Sequence, residues 1–178
     1  MPQGEIQTDA IVRRAFIDGK RVYVPFLHES TVSNQDGAPS RVMDMVRLQD
    51  IADYEALSLD RWGIPSVDPA TAHQRERILG DTGLNHKPLD LLLMPGVAFD
   101  MDTENNAIRR LGHGKGFYDF FIHRYLVKAA LTGPEANLSL YGLALKEQVL
   151  DGSPDSRVPV GPLDQGLHGL IVGDGTVL

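Results

Sequence analysis

"TDAIVRRAFIDGKRVYVPF", residues 8–26, decides the fold class, because a helix pattern runs without pause into a strand pattern. Ile11, Val12, Ala15 and Phe16 share one face at helical spacing, with Thr8 placed as an N-cap and Gly19 as a stop. "RVYVPF" then reads as a short β-branched and aromatic strand. A surface helix feeding straight into a strand points to α/β layers. The expected architecture is a Rossmann-like three-layer α/β/α domain with a mixed, mostly parallel sheet.

Outward from this stretch, "ESTVSNQDGAPS" (29–40) is a polar loop, and "RVMDMVRL" (41–48) is a weak, ambiguous strand pattern in which Met43 and Met45 are core residues. From 66 to 88 the pattern is irregular, with a short helix expected around His73 to Leu79. "LDLLLMPGVAF" (89–99) reads as a buried strand over Leu89 to Met94, closed by Pro95-Gly96. Phe117, Phe121, Tyr125 and Ala129 repeat every fourth residue, marking a helix that Gly133-Pro134 ends. "LSLYGLAL" (138–145) is another buried strand, residues 151–169 are rich in turn formers, and "LIVGDGTVL" (170–178) is a short strand pair around a tight turn at Gly173 to Gly175.

Composition sets the limits on function. A chain of 178 residues, 42% hydrophobic, supports one globular domain over 1–178. A net charge of -7 argues against a general nucleic-acid or membrane-surface binder, since either needs an excess of Lys and Arg. With no cysteine, disulfides, thiolate metal sites and a cysteine nucleophile are excluded, which suits a reducing cytosol. No stretch approaches the ~20 apolar residues of a membrane span, and "MPQGEIQTDA" has the features of neither a signal nor a transit peptide. A monomer without nucleic-acid or membrane partners is expected.

The chemistry concentrates in "LGHGKGFYD", residues 111–119. Gly112, Gly114 and Gly116 remove side chains where a ligand must reach the main chain, and they permit the positive φ angles that turn successive N–H groups inward as an anion nest. A helix follows, adding unpaired N–H groups and the positive end of its dipole. Lys115 and His113 bring mobile positive character, and Arg109 and Arg110 lie just upstream. Asp119, in the first helical turn, suits Mg²⁺ held against the same phosphates. A chain-reversing turn and a dipole-favoured carboxylate would account for the same residues, so pattern alone leaves both readings open. The loop is not a Walker A motif, because no Ser or Thr follows Lys115. Nor is it the dinucleotide fingerprint, because Phe117 stands where the last glycine would be required.

"LLLMPGVAFD" and the Arg110-to-Asp119 segment together resemble the signature of the 5-formyltetrahydrofolate cyclo-ligase (methenyltetrahydrofolate synthetase) family: a strand, a PG-x-x-FD turn and an RLG-[RH]-GKG-[YF]-YD loop. "GEIQT", "VMDMVR", "WGIP", "LALKEQ" and "RVPVGPLD" resemble further family segments in the same order, along nearly the whole chain.

The resemblance implies an ATP-dependent ring closure of 5-formyltetrahydrofolate to 5,10-methenyltetrahydrofolate, with release of ADP and phosphate through a phosphorylated formyl group. It implies that Arg110, Leu111, Gly112, His113, Gly114, Lys115, Gly116, Phe117 and Tyr118 contact ATP. His113 to Phe117 would also line the folate, and Lys115 and His113 would be catalytic. It further implies that Asp119 and Asp164 hold Mg²⁺ and that Glu5 hydrogen-bonds the pterin, whose amino and ring N–H donors suit a carboxylate. Without the family, Glu5 reads as a helix-start carboxylate and Asp164 as a turn residue. Trp62 and Tyr23 are weaker candidates for stacking on the substrate rings.

His113 stands where many relatives carry arginine, and Phe117 where many carry tyrosine. The family's first basic helix and first strand precede the segment matching Glu5, whereas here Met1 does. The chain is therefore expected to be N-terminally truncated, lacking a cationic wall of the ATP site and one strand. A cytoplasmic location is expected, with a mitochondrial one left open because any targeting segment would precede Met1. Two alternatives stand beside the active cyclo-ligase: a non-catalytic folate- or nucleotide-binding relative, and a Rossmann-like phosphate-binding module of unrelated use.

Overall fold

A computed structural model describes residues 6–30, 40–60, 63–80, 88–102, 105–132, 137–153 and 156–178. They fall into two compact units, one within 7–86 and one within 87–178 together with Ile6.

In the first unit, α1 (Asp9–Ile17) leads into β1 (Val22–Glu29), which pairs antiparallel with β2 (Arg41–Leu48) in the register Val22↔Leu48 to Glu29↔Arg41. Thr8 precedes α1 as expected, but its hydroxyl makes no cap; its carbonyl accepts from the Val12 N–H. Gly19, at φ +66, follows the last turn as the stop. Val12, Ala15 and Phe16 are half-buried, whereas Ile11 is exposed, so the apolar face is narrower than its spacing suggests.

The ambiguity of residues 41–48 has a physical cause. Val42 to Val46 are all buried, so both faces of β2 are covered and period-two alternation is lost. Met43 and Met45 are core residues, as expected. Asp44 is buried with them and fully partnered: it accepts from the Met45 and Leu79 N–H groups and from Arg77 Nε at 2.9 Å. Val46, Leu48, Val67 and Ala72 form a core against which Phe16, Val24, Phe26 and Tyr54 pack.

Asp50 caps the short α2 (Ile51–Glu55), and the two-residue strands β3 (Ser58–Leu59) and β4 (Pro65–Ser66) pair antiparallel. The helix expected around His73 to Leu79 lies upstream instead, as α3 (Pro69–Ala72) with Asp68 at its N-cap and Pro69 in its first turn. Beyond it the chain turns and runs beside β2, with Arg47 N–H bonded to Glu76 O and Ile78 N–H to Met45 O. The charges dictate this course. Arg75 grips Asp53 through two bonds of 2.6 Å, Glu76 takes Arg47 at 2.8 Å and the Tyr23 hydroxyl, and Arg77 reaches Asp44. A helix there would turn some of these side chains away from β2.

The second unit holds the parallel sheet. β5 (Leu91–Pro95), β8 (Ser139–Ala144) and β9 (Gly169–Val172) pair parallel in the order β5-β8-β9. Between β5 and β8 in the chain come an antiparallel hairpin, β6 (Ala98–Asp102) with β7 (Ala107–Leu111), and the helix α4 (Phe117–Thr132). The class is α/β with mixed pairing, as expected: the three-stranded sheet is wholly parallel and the two-stranded ladders are antiparallel. The hairpin was not anticipated; Asn106, at φ +52, makes its turn.

β5 starts two residues later than expected and alternates, with Leu92 and Met94 buried and Leu91 half exposed. α4 buries Phe121, Ile122, Tyr125 and Ala129, and the Tyr125 hydroxyl accepts from the Leu89 N–H at 2.9 Å, tying the helix to the approach to β5. After β9 the chain reverses at Gly173 to Gly175, and Val177 bridges back to Ile171. No described helix is long and apolar enough to cross a membrane.

Candidate active site

The glycine-rich segment joins the end of β7 to the start of α4. Gly114 and Gly116 sit at φ +77 and +60, where a Cβ would meet no atom within 4 Å, so backbone conformation and not crowding selects glycine. The first helical turn closes with Phe120 N–H on Gly116 O at 2.9 Å. His113 and Lys115 are exposed, and among the described residues neither has a hydrogen-bond or ion-pair partner. An exposed cation therefore stands beside two left-handed glycines at the start of a 16-residue helix.

The two arginines upstream are placed differently from that lysine. Arg109 spans the hairpin and donates Nε and Nη2 to the two oxygens of Asp100 at 2.8 and 2.7 Å. Asp100, 1% exposed, also accepts from the Val158 N–H at 3.2 Å, which fastens the segment leading to Asp164. The side chain of Arg110 is only 7% exposed and donates Nη2 to Asp119 at 2.7 Å. Its Nη1 lies 3.4 Å from Pro95 O, and its guanidinium sits 5.5 Å from the centre of the Tyr118 ring. Arg110 Nε is buried without a partner among the described residues. Gly112 makes room for this arginine, since a Cβ there would stand 2.9 Å from Nη1.

The Gln165 N–H donates to Asp119 Oδ1 at 3.2 Å, so the backbone next to Asp164 reaches the first turn of α4. Asp164 is exposed and folds back on the Gly161 N–H at 2.6 Å. Among the described residues no group of three or more His, Cys, Asp or Glu could hold a metal. Mg²⁺ is a hard ion that takes one or two carboxylates and fills its shell with water and phosphate oxygens. Leu111, Gly112, Phe117 and Tyr118 are half-buried around the turn.

Glu5 and Trp62 lie outside the described residues. Tyr23 belongs to the first unit, where its hydroxyl donates to Glu76 and the Arg21 guanidinium covers its ring at 5.9 Å. Sequence reading missed two supports of the site. One is Asp100, which the quoted PG-x-x-FD turn contained. The other is Gln148 of "LALKEQ", whose amide donates to Gly96 O and accepts from the Leu145 N–H, both at 2.8 Å.

Fold and site define an α/β protein in which a glycine-rich, lysine-bearing turn opens a helix whose first turn carries Asp119. The 5-formyltetrahydrofolate cyclo-ligase family model matches residues 1–172. A "Probable 5-formyltetrahydrofolate cyclo-ligase" of Schizosaccharomyces pombe is 32% identical over 171 residues, covering 96% of this chain and 70% of that protein. One of the same name from Caenorhabditis elegans is 37% identical over 160 residues, covering 88% of this chain and 64% of that protein. The "5-formyltetrahydrofolate cyclo-ligase" of Saccharomyces cerevisiae is 28% identical over 183 residues, covering 99% of this chain and 74% of that protein. The chain belongs to the 5-formyltetrahydrofolate cyclo-ligase family, a family of ligases.

Proposed function

We propose that this chain, working as one domain, converts 5-formyltetrahydrofolate to 5,10-methenyltetrahydrofolate with ATP, releasing ADP and phosphate. The observation that carries the reading is the turn at 112–116: two glycines at positive φ and, at the start of α4, a Lys115 without a partner among the described residues. Such a turn offers backbone N–H groups, a helix dipole and a cation to a phosphate chain.

The chemistry requires little more. A formamide oxygen is a poor leaving group; when it attacks the γ-phosphorus of ATP, ADP departs and the oxygen becomes part of a phosphate ester. The position-10 nitrogen then attacks the formyl carbon and gives up its proton, and the carbon–oxygen bond breaks as phosphate leaves with that oxygen and the proton. Phosphoryl transfer is catalysed chiefly by positioning and charge neutralisation, so no side-chain nucleophile is needed. Lys115 and His113 neutralise the phosphates, and the half-buried Leu111, Phe117 and Tyr118 flank the nucleotide. Asp119 and Asp164 hold Mg²⁺, which when bound offsets phosphate charge. Glu5 takes the pterin N–H donors. A cysteine-free composition suits the cytoplasm, where a monomer would act.

The test is calorimetry with 5-formyltetrahydrofolate and with Mg-ATP, followed by a spectroscopic assay for the methenyl product. Binding of both with ADP release supports the reading. Binding of both without turnover identifies a non-catalytic relative, and no folate binding points to a phosphate-binding module of other use.

A further inference from the structure

The pairing of Arg110 with Asp119 bears on how the second unit controls a cation. Arg110 is held on several sides: Nη2 on Asp119 at 2.7 Å, Nη1 toward Pro95 O, the Tyr118 ring beside the guanidinium, and Gly112 clearing the space. Gly96 clears its stem as well, since a Cβ there would lie 3.1 Å from Arg110 Cγ. The side chain is more than nine-tenths buried, and Nε has no partner among the described residues. Such a guanidinium is a fixed charge, unlike the exposed Lys115 five residues further along the chain. A phosphate contact made through Nη2 would require it to leave Asp119.

We infer that Arg110 is a positioning residue that serves as the resident counter-ion of Asp119, so that it opposes a divalent cation at that carboxylate until anionic ligand is present. This rests on the reading of Asp119 as a cation ligand. Arg110 and a divalent ion both satisfy the same negative charge, and at short range two positive charges around one carboxylate repel. With Arg110 in place, the free protein binds the ion weakly. A triphosphate supplies further negative charge, which the ion and the arginine can then share, so cation and nucleotide each strengthen the other's binding.

The experiment is a titration of the full chain with Mn²⁺ alone, followed by electron paramagnetic resonance of the free ion and by the rise in melting temperature. The proteins are the wild type, Arg110→Met, Arg110→Lys and Asp119→Asn. The expected result is weak binding by the wild type, tightening by about tenfold or more in Arg110→Met, and loss of binding in Asp119→Asn. If Arg110→Met does not fold without metal, Arg110→Lys decides: its shorter, compact charge cannot hold Asp119 and Pro95 O together, and at least about twofold tightening is expected. Equal or weaker Mn²⁺ binding in both arginine variants, with binding still dependent on Asp119, overturns the counter-ion role alone. Mn²⁺ binding that is indifferent to Asp119→Asn, or absent throughout, overturns the assignment of Asp119 as a ligand and the inference with it.

Discussion

Arg109 and Asp100 face each other across the hairpin as register partners, and two guanidinium N–H groups meet the two oxygens of a carboxylate that is 1% exposed. The pair also receives the Val158 N–H, so one buried charge fixes the hairpin and the segment leading to Asp164 at once. Removing one member of a buried pair strands the other, which costs about 3–5 kcal/mol. Arg109→Met is therefore expected to destabilise the protein by that much in urea unfolding. A loss below about 1 kcal/mol, the worth of an exposed pair, would show that water reaches Asp100.

Substitution in the turn should separate backbone from charge. Gly114→Ala and Gly116→Ala meet no steric clash, so each costs only the left-handed penalty of about 1–2 kcal/mol. Both should weaken Mg-ATP, because relaxing φ turns the N–H groups outward. Lys115→Ala should leave stability unchanged and weaken Mg-ATP far more than folate. An unchanged ATP affinity in calorimetry would remove that lysine from the site.

Gly142 tests the packing under the parallel sheet. A Cβ there would stand 2.6 Å from both Phe99 and Leu170, two fully buried side chains of β6 and β9. Gly142→Ala should cost about 1–3 kcal/mol by overpacking, with a lower melting temperature. A melting temperature equal to that of the wild type would mean that Phe99 can rotate away freely.

The first unit should set the limits of pH stability. The hydrogen bonds from Arg75 hold the Asp53 carboxyl below its ordinary range, outweighing the burial that pushes it up. Its folded pKa is depressed, so the stabilisation is present above the unfolded value of about 3.9 and is lost as pH falls through the folded value. At the alkaline end, burial and the bond to Glu76 push the Tyr23 phenol up to about 12. That stabilisation is complete below the unfolded value of about 10 and is lost as pH rises toward 12. Arg75→Gln should flatten the acid limb of a plot of stability against pH, and Tyr23→Phe the alkaline limb. A variant whose limb matches the wild type would clear that residue of the role.

The α/β class was legible because helix and strand periods differ and residues 8–26 pass from one to the other without a break. The helix at 117–132 was legible from Phe117, Phe121, Tyr125 and Ala129, and three of those four are buried. The hairpin at 98–111 was hidden, because Asp100 and Arg109, the charges that make its sequence look like surface, neutralise each other inside. The segment 73–79 misled for a related reason: its charged residues are held by partners on β2 and α2, and local spacing carries no trace of those partners.

At the site, the glycines, the lysine and their place before a helix could be read along the chain, since these depend on nearest neighbours. The family resemblance was legible at the same level. Which charges remain available to a ligand emerges only from the folded arrangement. Arg109, Arg110 and Lys115 look alike as a basic stretch, yet two are neutralised by carboxylates, one across the hairpin and one on the helix, and the third has no partner among the described residues. The reason is physical: burial requires a charge to find a partner, and which partner comes within reach is settled by strand register and helix position, not by sequence separation.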